Sequence, residues 1–417
     1  MASTAPTVAV SSPCYDSLAT AMDTLARPDR NLLGLTRIEL EQFALERGQP
    51  RYRGAQIYRA MYARRERDFA AITDLSREFR TRLASEYRVA YPSIERAVES
   101  RDGSIRYLLG LEDGATVEAV YMPWRMPPAR SRDGRMRRGV ATPSGRDLGA
   151  IAPSGEDAAP AENGGDHRTT LCISSQVGCA VDCKFCFTGL LGVKRNLTAG
   201  EIVGQVLAIA EAHELATRSA AKAPPRLNVV FMGQGEPLLN FRPVMNAAQI
   251  LADHEGCGIA LRRITVSTAG IVPRIYDFAR APVRPKLAIS LNASSEEQRS
   301  ALMPINRKYP LRNLVEACRA YPLRPRESLT FEYVMLDGIN DSDADAARVA
   351  ELVRGIRSRV NLIPYNGGAE LPYRASPMER VLGFQRVLAE RRVPTFIRIS
   401  RGQDVMAACG QLSLAGV

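Results

Sequence analysis

The stretch Cys179-Ala-Val-Asp-Cys-Lys-Phe-Cys186 sets the fold and chemistry that the rest of the chain has to support, because it brings three thiols within eight residues. Three thiolates can hold three corners of a [4Fe-4S] cube and leave the fourth iron without a protein ligand. A zinc knuckle is the alternative, but structural zinc takes four ligands. Neither a fourth Cys nor a His lies close by. The spacing therefore predicts an iron–sulfur cluster with one open iron.

Length and composition indicate a protein outside the membrane. The chain has 417 residues, of which 45% are apolar, enough for one large domain and a smaller one. No apolar run approaches the ~20 residues of a membrane span, and residues 1–17 lack the features of a secretory signal. Eight Cys in so long a chain do not make a disulfide scaffold, and an oxygen-sensitive cluster suits a reducing compartment. We expect a cytoplasmic protein.

The charge favours a nucleic-acid partner, although weakly. The formal net charge is +11, and only five of the 56 basic residues are Lys. This skew partly reflects codon composition. Arginine is nevertheless the residue suited to phosphate forks and base stacking.

Shifts in composition divide the first part of the chain. Residues 1–27 are small and polar and are predicted to be a disordered tail. Residues 28–95 carry an Arg-rich helical pattern, which is either a structural helical domain or an accessory RNA-binding domain. The spacing of Thr36 and Glu39 predicts a capping box at a helix start here, as that of Thr198 and Glu201 does farther along the chain. Two strand-like runs around an Asp-Gly turn predict a β-hairpin extension at 96–123. Residues 124–168 show no periodicity and are predicted to be a low-complexity insertion.

Strands and helices alternate through residues 169–417, which predicts an α/β core with a parallel sheet, either doubly wound or barrel-like. No Gly-x-Gly-x-x-Gly follows the first strand, so a dinucleotide-binding fold has no support. The strand-like runs are 169–174, 227–232, 263–267, 286–291, 329–336, 360–363 and 395–399.

Small and polar clusters follow six of these strands, where the chemistry of barrels is found. The three Cys follow the first strand and Gly233-Gln-Gly-Glu-Pro237 the second; the others are Ser267-Thr268, Ser290-Leu-Asn292, Asn366 and Cys409. Each cluster alone is most simply a turn or a buried hydroxyl. Their shared position predicts one site at that edge.

Taken together, these motifs resemble those of the radical S-adenosylmethionine (SAM) ribosomal RNA adenine-C2 methyltransferases of the RlmN type. The resemblance covers about 30–123 and 168–413. The motifs that carry it are Thr-Leu-Cys172, the Cys179–Cys186 stretch, Gly-Gln-Gly-Glu-Pro-Leu, Val-Ser267-Thr, Ser290-Leu-Asn-Ala, Asn361-Leu-Ile-Pro-Tyr-Asn366, Ala-Ala-Cys409-Gly-Gln-Leu, Asn31-Leu-Leu-Gly-Leu and Val117-Glu-Ala-Val-Tyr-Met-Pro.

The resemblance implies a partial (β/α) barrel of the radical-SAM type, with a small N-terminal helical domain and a β-hairpin extension. It also implies a [4Fe-4S] cluster and SAM as cofactors. The residues it assigns are Cys179, Cys183 and Cys186 to the cluster, and Gly235, Glu236, Ser267, Ser290, Leu291, Asn292 and Asn366 to SAM. The implied partners are 23S ribosomal RNA, transfer RNA as a second substrate and a flavodoxin- or ferredoxin-like reductant, acting on a monomer.

Three side chains carry the chemistry that the resemblance implies. Cys409 takes a methyl group from one SAM, and a radical generated from a second SAM removes a hydrogen atom from that methyl group. The resulting methylene radical adds to adenine C2, a carbon that is a poor nucleophile and so resists ordinary methyl transfer. Glu118 accepts the C2 proton. Cys172 then attacks the Cys409 sulfur, releasing the RNA and leaving a disulfide.

Departures and alternatives remain open. The insertion is not typical of the family, and Gln234 and Asn292 stand where Met and His are expected. Methylation of adenine C8 by the same two-thiol device is one alternative. A non-catalytic, metal-stabilised RNA-binding protein is another, but it leaves Cys172 and Cys409 unexplained. For Glu118 a surface or ion-paired carboxylate remains the ordinary interpretation.

Overall fold

A computed structural model describes residues 30–123, 169–215, 227–368 and 370–412. The predicted tail at 1–27 and the predicted insertion at 124–168 lie outside these ranges. Among the described helices, none is long and apolar enough to cross a membrane.

Three helices form the N-terminal region: α1 (Arg37–Leu45), α2 (Tyr52–Tyr62) and α3 (Arg77–Glu86). The capping box predicted at the start of α1 is confirmed, since the Thr36 and Glu39 side chains each bond the other's backbone N–H. Apolar faces of all three helices are buried in one hydrophobic core that also includes the strands of the main sheet. The helices are therefore fixed against the sheet by a shared core.

Three antiparallel strands follow: β1 (Ser93–Glu99), β2 (Ile105–Gly110) and β3 (Thr116–Met122). The sequence predicted β2 and β3 but missed β1. All but one of the β1 residues are exposed, so the strand has no buried face and shows no alternation of apolar and polar residues. β3 then pairs antiparallel with β4 (Thr169–Cys172) and joins this region to the main sheet.

The main sheet continues from β4 through six parallel strands, and each of the seven predicted runs overlaps one strand. The six are β7 (Leu227–Phe231), β8 (Ile264–Thr268), β9 (Lys286–Ser290), β10 (Leu329–Met335), β11 (Ser358–Pro364) and β12 (Thr395–Ile397). They pair in chain order, with β1 and β12 as the two edges of the described sheet. The predicted partial (β/α) barrel is confirmed. β5 (Gln176–Gly178) and β6 (Val193–Asn196) form a separate two-stranded ribbon.

Helices fill the connections between the parallel strands. The Thr198–Glu201 capping box begins the first long one, as predicted. The helices are α4 (Phe187–Leu190), α5 (Ala199–Ala212), α6 (Phe241–Ala252), α7 (Val272–Arg280), α8 (Glu296–Leu302), α9 (Leu311–Arg319), α10 (Asp343–Leu352) and α11 (Met378–Glu390). Because the strands are parallel, their carboxyl ends, and the loops that follow them, lie at one edge of the barrel.

Candidate active site at the carboxyl ends of the strands

The three-cysteine loop lies between the ribbon strand β5 and helix α4. Backbone hydrogen bonds fix both of its ends: Cys179 N–H donates to the Gly192 carbonyl at 2.9 Å, and Cys186 N–H donates to the Cys183 carbonyl at 3.0 Å. In the middle of the loop, Lys184 N–H donates to the Leu302 carbonyl at 2.9 Å. All three thiols are partly buried and pack against the main core. The loop is thus a shaped part of the fold.

Burial raises the pKa of all three thiols, that of Cys179 to about 12. The Cys186 and Cys179 thiolates further raise the pKa of Cys183, so the three thiols act electrostatically as one group. Within the described ranges, no three His, Cys, Asp or Glu side chains are gathered as around a single metal ion. A [4Fe-4S] cube can be held by three thiolates, whereas structural zinc takes four ligands, so three thiols on one desolvated loop fit a cluster better than they fit zinc.

Arg299, on α8, is a residue of this site that the sequence reasoning missed. Its side chain is fully buried and lies near enough to Cys183 for the two charges to interact. The guanidinium donates to the Ala269 carbonyl at 2.6 Å, to the Leu291 carbonyl at 3.3 Å and to the Asn306 side chain at 3.1 Å. Burial lowers its pKa to about 10. In the sequence it is one of 51 arginines on an ordinary amphipathic helix, and nothing marks it.

The turn after β7 contains Gly235 and Glu236. Gly235 has φ +100°, and a Cβ there would lie 2.6 Å from the Gln176 Cβ, so only glycine fits. Glu236 is buried and accepts hydrogen bonds from Ala269 N–H at 2.6 Å and Leu238 N–H at 3.0 Å. Burial raises the pKa of Glu236 to about 7. Its carboxylate therefore ties the ends of β7 and β8 together.

Ser267 and Ser290 are half-buried near the carboxyl ends of strands β8 and β9. Leu291 and Asn292 follow β9 directly and are buried. Asn292 has φ +54°, in the left-handed region that Asn tolerates better than most residues. Its side-chain oxygen accepts from Val334 N–H at 2.9 Å. In this structure the Asn292 side chain holds β10 beside β9.

Cys409 lies in a C-terminal loop, residues 401–412, that packs against α4, the helix that directly follows the three-cysteine loop. Asn366 Nδ2 donates to the Cys409 carbonyl at 3.2 Å, and Phe187 N–H donates to the Gly410 carbonyl at 2.8 Å. The Thr188 hydroxyl donates to the Leu412 carbonyl at 2.6 Å. Cys409 itself is exposed to solvent, yet protein surrounds it closely enough that desolvation, followed by the Glu332 charge, raises its pKa to about 11. The loop therefore presents a solvent-exposed thiol close to α4.

Cys172 is the last residue of β4 and is buried. It packs in a small cluster with Val120 of β3 and with Ala407 and Leu412, which flank Cys409 in the C-terminal loop. Burial, with the Cys409 charge as the next cause, raises the pKa of Cys172 far above its usual range. Both cysteines are free thiols here. The fold thus brings together two thiols that are 237 positions apart in the sequence.

Glu118 is fully buried on β3 and ion-paired, so the surface interpretation of this residue is wrong. Arg106 Nε donates to its Oε1 at 2.7 Å, and Gln234 Nε2 donates to its Oε2 at 3.4 Å. The Gln234 side chain also accepts from Glu118 N–H at 3.3 Å. The residue that departs from the family pattern therefore contacts this carboxylate directly.

Comparisons with known proteins agree with this geometry. Residues 173–350 match the family model described as the radical SAM superfamily, and residues 30–89 match the one described as a ribosomal RNA large subunit methyltransferase N-terminal domain. A protein of Anaeromyxobacter sp. named dual-specificity RNA methyltransferase RlmN is 43% identical, covering 94% of this chain and 92% of its own. One of the same name from Paracoccus denitrificans is 42% identical, covering 93% and 90%.

Among solved structures, a radical SAM methyltransferase from Sphaerobacter thermophilus is 40% identical, with a TM-score of 0.74 over 92% of this chain and 99% of that one. Membership of the superfamily makes a [4Fe-4S] cluster and SAM the cofactors of this protein, and the three desolvated thiols at the strand ends fit the first of them. The chain belongs to the RlmN family of radical-SAM methyltransferases.

Proposed function

We propose that this protein methylates C2 of an adenine in 23S ribosomal RNA and in transfer RNA. The observation that carries the proposal is the docking of the Cys409 loop onto α4, the helix that directly follows the three-cysteine loop, with Cys172 packed against the same C-terminal segment. A cluster used only for electron transfer or structure needs neither thiol. The relatives named dual-specificity RNA methyltransferases supply the substrate class.

The residues that would hold the cofactors belong to the carboxyl ends of the strands and to the loops that follow them. The cluster would be bound by Cys179, Cys183 and Cys186. The side chains and backbone that would bind SAM are those of Gly235, Glu236, Ser267, Ser290, Leu291, Asn292 and Asn366. When bound, the two cofactors supply a 5′-deoxyadenosyl radical. The side chains of Glu236, Asn292 and Asn366 already bond other parts of the protein. Their first contribution is therefore to hold the strand ends and the Cys409 loop in place.

The two free thiols have separate roles in this proposal. The exposed Cys409 thiolate would attack the methyl group of SAM; the bond from the sulfonium to that methyl group breaks, S-adenosylhomocysteine leaves, and Cys409 becomes an S-methyl cysteine. After that carbon has bonded to adenine C2, the Cys172 thiolate attacks the Cys409 sulfur and a disulfide forms. The sulfur–carbon bond breaks with its electron pair passing to the RNA carbon, which takes up a proton and becomes the methyl group. Packing of Cys172 against Ala407 and Leu412 supports this, because it places the attacking thiol beside the segment that carries its target.

Glu118 is the proposed acceptor of the adenine C2 proton. Val120, on the same face of β3, contacts Cys172 and the C-terminal loop, and residues two apart on a strand point to the same side. The Glu118 carboxylate therefore faces the region of the two thiols. Its ion pair with Arg106 keeps it ionised and able to take a proton.

The proposal extends to the segments and partners. Residues 28–95 act as an RNA-binding domain, supported by exposed arginines such as Arg77 and Arg82 on α3, and 96–123 and 169–417 form the extension and the catalytic barrel. A flavodoxin- or ferredoxin-like protein supplies the electron, and the enzyme works as a monomer in the cytoplasm. Salt-dependent RNA binding would follow from the arginine contacts to phosphate.

The test is methylation by anaerobically reconstituted protein of a 23S ribosomal RNA fragment and of transfer RNA, with digestion to nucleosides and mass spectrometry against standards. The proposal expects 2-methyladenosine in both. Formation of 8-methyladenosine alone would establish the C8 alternative. Absence of product, together with an absorption band near ~400 nm that does not respond to SAM, would favour the non-catalytic RNA-binding protein.

A further inference from the structure

Arg106 is a charged residue in the interior of strand β2, where apolar residues would be expected. Its side chain is only 3% exposed. Arginine is almost never buried to this degree unless it is paired. Its neighbours Ile105 and Tyr107 are ordinary strand residues, and the family resemblance assigns Arg106 no role.

The Arg106 guanidinium binds two different elements. Nε donates to Glu118 Oε1 at 2.7 Å, and Nη2 contacts the same oxygen. Nη1 points the other way and donates to the Val405 carbonyl at 3.1 Å. Val405 is four residues before Cys409 and packs on the cluster that contains Cys172. One side chain thus joins the proposed proton acceptor to the loop that carries the methyl group.

A buried carboxylate depends on such a partner. A charge removed from water is strongly disfavoured unless it is paired, and an unpaired carboxylate takes up a proton instead. A protonated Glu118 could not accept another proton. The fork of an arginine fixes the direction of a carboxylate as well as its charge, which an ammonium group does less well.

We propose that Arg106 is a positioning residue that keeps Glu118 ionised and aligns it with the Cys409 loop during proton removal from the RNA adduct. The inference rests on the proposed function. In the step concerned, the C2 proton moves to the Glu118 carboxylate and the electron pair of the C–H bond stays on the adduct, whose unpaired electron would return to the oxidised iron–sulfur cluster as a one-electron acceptor. Arg106 neither gains nor loses a proton.

The test compares Arg106→Gln with Arg106→Lys and Glu118→Gln in the reconstituted full-length enzyme. For Arg106→Gln we expect the rate of 2-methyladenosine formation to fall about 100-fold, within the range that a positioned proton acceptor contributes. S-methylation of Cys409 and KM for RNA should change less than about twofold, because both precede proton removal. The covalent Cys409–RNA adduct should accumulate. Arg106→Lys, which keeps the charge, should recover at least about tenfold of the loss.

The double variant Arg106→Gln/Glu118→Gln removes both charges and guards against misfolding by a buried carboxylate that has lost this ion pair. It should be no slower than Glu118→Gln alone, since Arg106 acts through Glu118. Arg96→Gln, an exposed arginine on the neighbouring strand β1, is the matched control and should behave as wild type. An additive loss in the double variant, or unchanged methylation in Arg106→Gln, would overturn the inference. Lack of 2-methyladenosine from the wild-type enzyme would instead refute the proposed function, and the inference with it.

Discussion

The two free thiols of the site are held in opposite ways. Cys172 ends a strand inside a ten-stranded sheet and is buried. Cys409 lies in a loop with no regular strand or helix of its own beyond one short turn, and is exposed. The sheet fixes Cys172 by burial, whereas Cys409 is positioned by a few side-chain and backbone hydrogen bonds. The difference suits the proposed roles, because the thiol that accepts the methyl group has to be exposed to SAM and RNA, whereas the resolving thiol has to meet only Cys409.

The largest effect is expected on iron binding, which should depend on the thiols of the three-cysteine loop but not on the β4 thiol of Cys172. Cys179→Ala removes one of three cluster ligands and should leave protein without bound iron and without SAM cleavage. Cys172→Ala leaves the three-cysteine loop intact and should keep both. Iron analysis and 5′-deoxyadenosine formation after anaerobic reconstitution measure this. Full iron loading of Cys179→Ala would contradict the ligand assignment.

Truncating a side chain should destabilise the protein far more in strand β4 than at the exposed end of α4. Leu171, beside Cys172, is 0% exposed, and Leu171→Ala should lower the free energy of unfolding by about 2–5 kcal/mol. Leu190→Ala, at the end of the short helix α4 and 59% exposed, makes the same chemical change and should cost less than about 0.5 kcal/mol. Urea denaturation followed by circular dichroism tests the pair. Equal losses in the free energy of unfolding would mean that β4 is no more tightly packed than the exposed end of α4.

The two thiols should also differ in their reactivity with pH. The pKa of Cys409 is raised to about 11, so its thiolate fraction, and its rate of alkylation by iodoacetamide, should rise about tenfold per pH unit up to about pH 9.5. Cys172 is buried and should stay unreacted. Peptide mass spectrometry of protein freed of iron by chelation measures both. An alkylation rate of Cys409 that levels off above about pH 8.5, as for an ordinary thiol, would show that the pKa is not raised.

The smallest effect concerns the hydrogen bonds that order the Cys409 loop. Gln411 donates to the Gly367 carbonyl at 3.1 Å and accepts from Ala408 N–H at 3.2 Å. Gln411→Ala should slow RNA methylation about tenfold, because the loss of such bonds costs about 1–3 kcal/mol. Gln385→Ala removes a similar bond to Thr395, 3.0 Å long, on α11, and should leave methylation unchanged. Equal methylation rates in the two variants would show that the hydrogen bonds of Gln411 do not contribute to methylation.

The strands and the site's location could be predicted from the sequence because both follow from local patterns. Each predicted apolar run at 169–399 overlaps a strand, and parallel strands bring their ends to one edge whatever the loops contain. The capping boxes of α1 and α5 were predicted for the same reason, since a Thr and a Glu three residues apart interact locally.

The buried arginines could not be predicted in this way. Arg106 and Arg299 act through partners distant in sequence: Val405 is 299 positions from Arg106, and Ala269 is 30 from Arg299. Their burial depends on which loops cover them, and a single arginine in a strand or helix gives no sign of that. β1 was missed because it buries almost nothing. Long-range polar contacts are thus where the structure adds most to the sequence.

Trapping of the RNA adduct tests whether Cys409 carries the methyl group and Cys172 resolves the adduct. Cys172→Ala and Cys409→Ala are each incubated with SAM, a reductant and substrate RNA, then digested and analysed by mass spectrometry. The account predicts an adenine joined through one carbon to the Cys409 sulfur in Cys172→Ala, and no such species in Cys409→Ala. If neither variant formed the adduct, or both did, the assignment of Cys409 as carrier and Cys172 as resolving thiol would be contradicted.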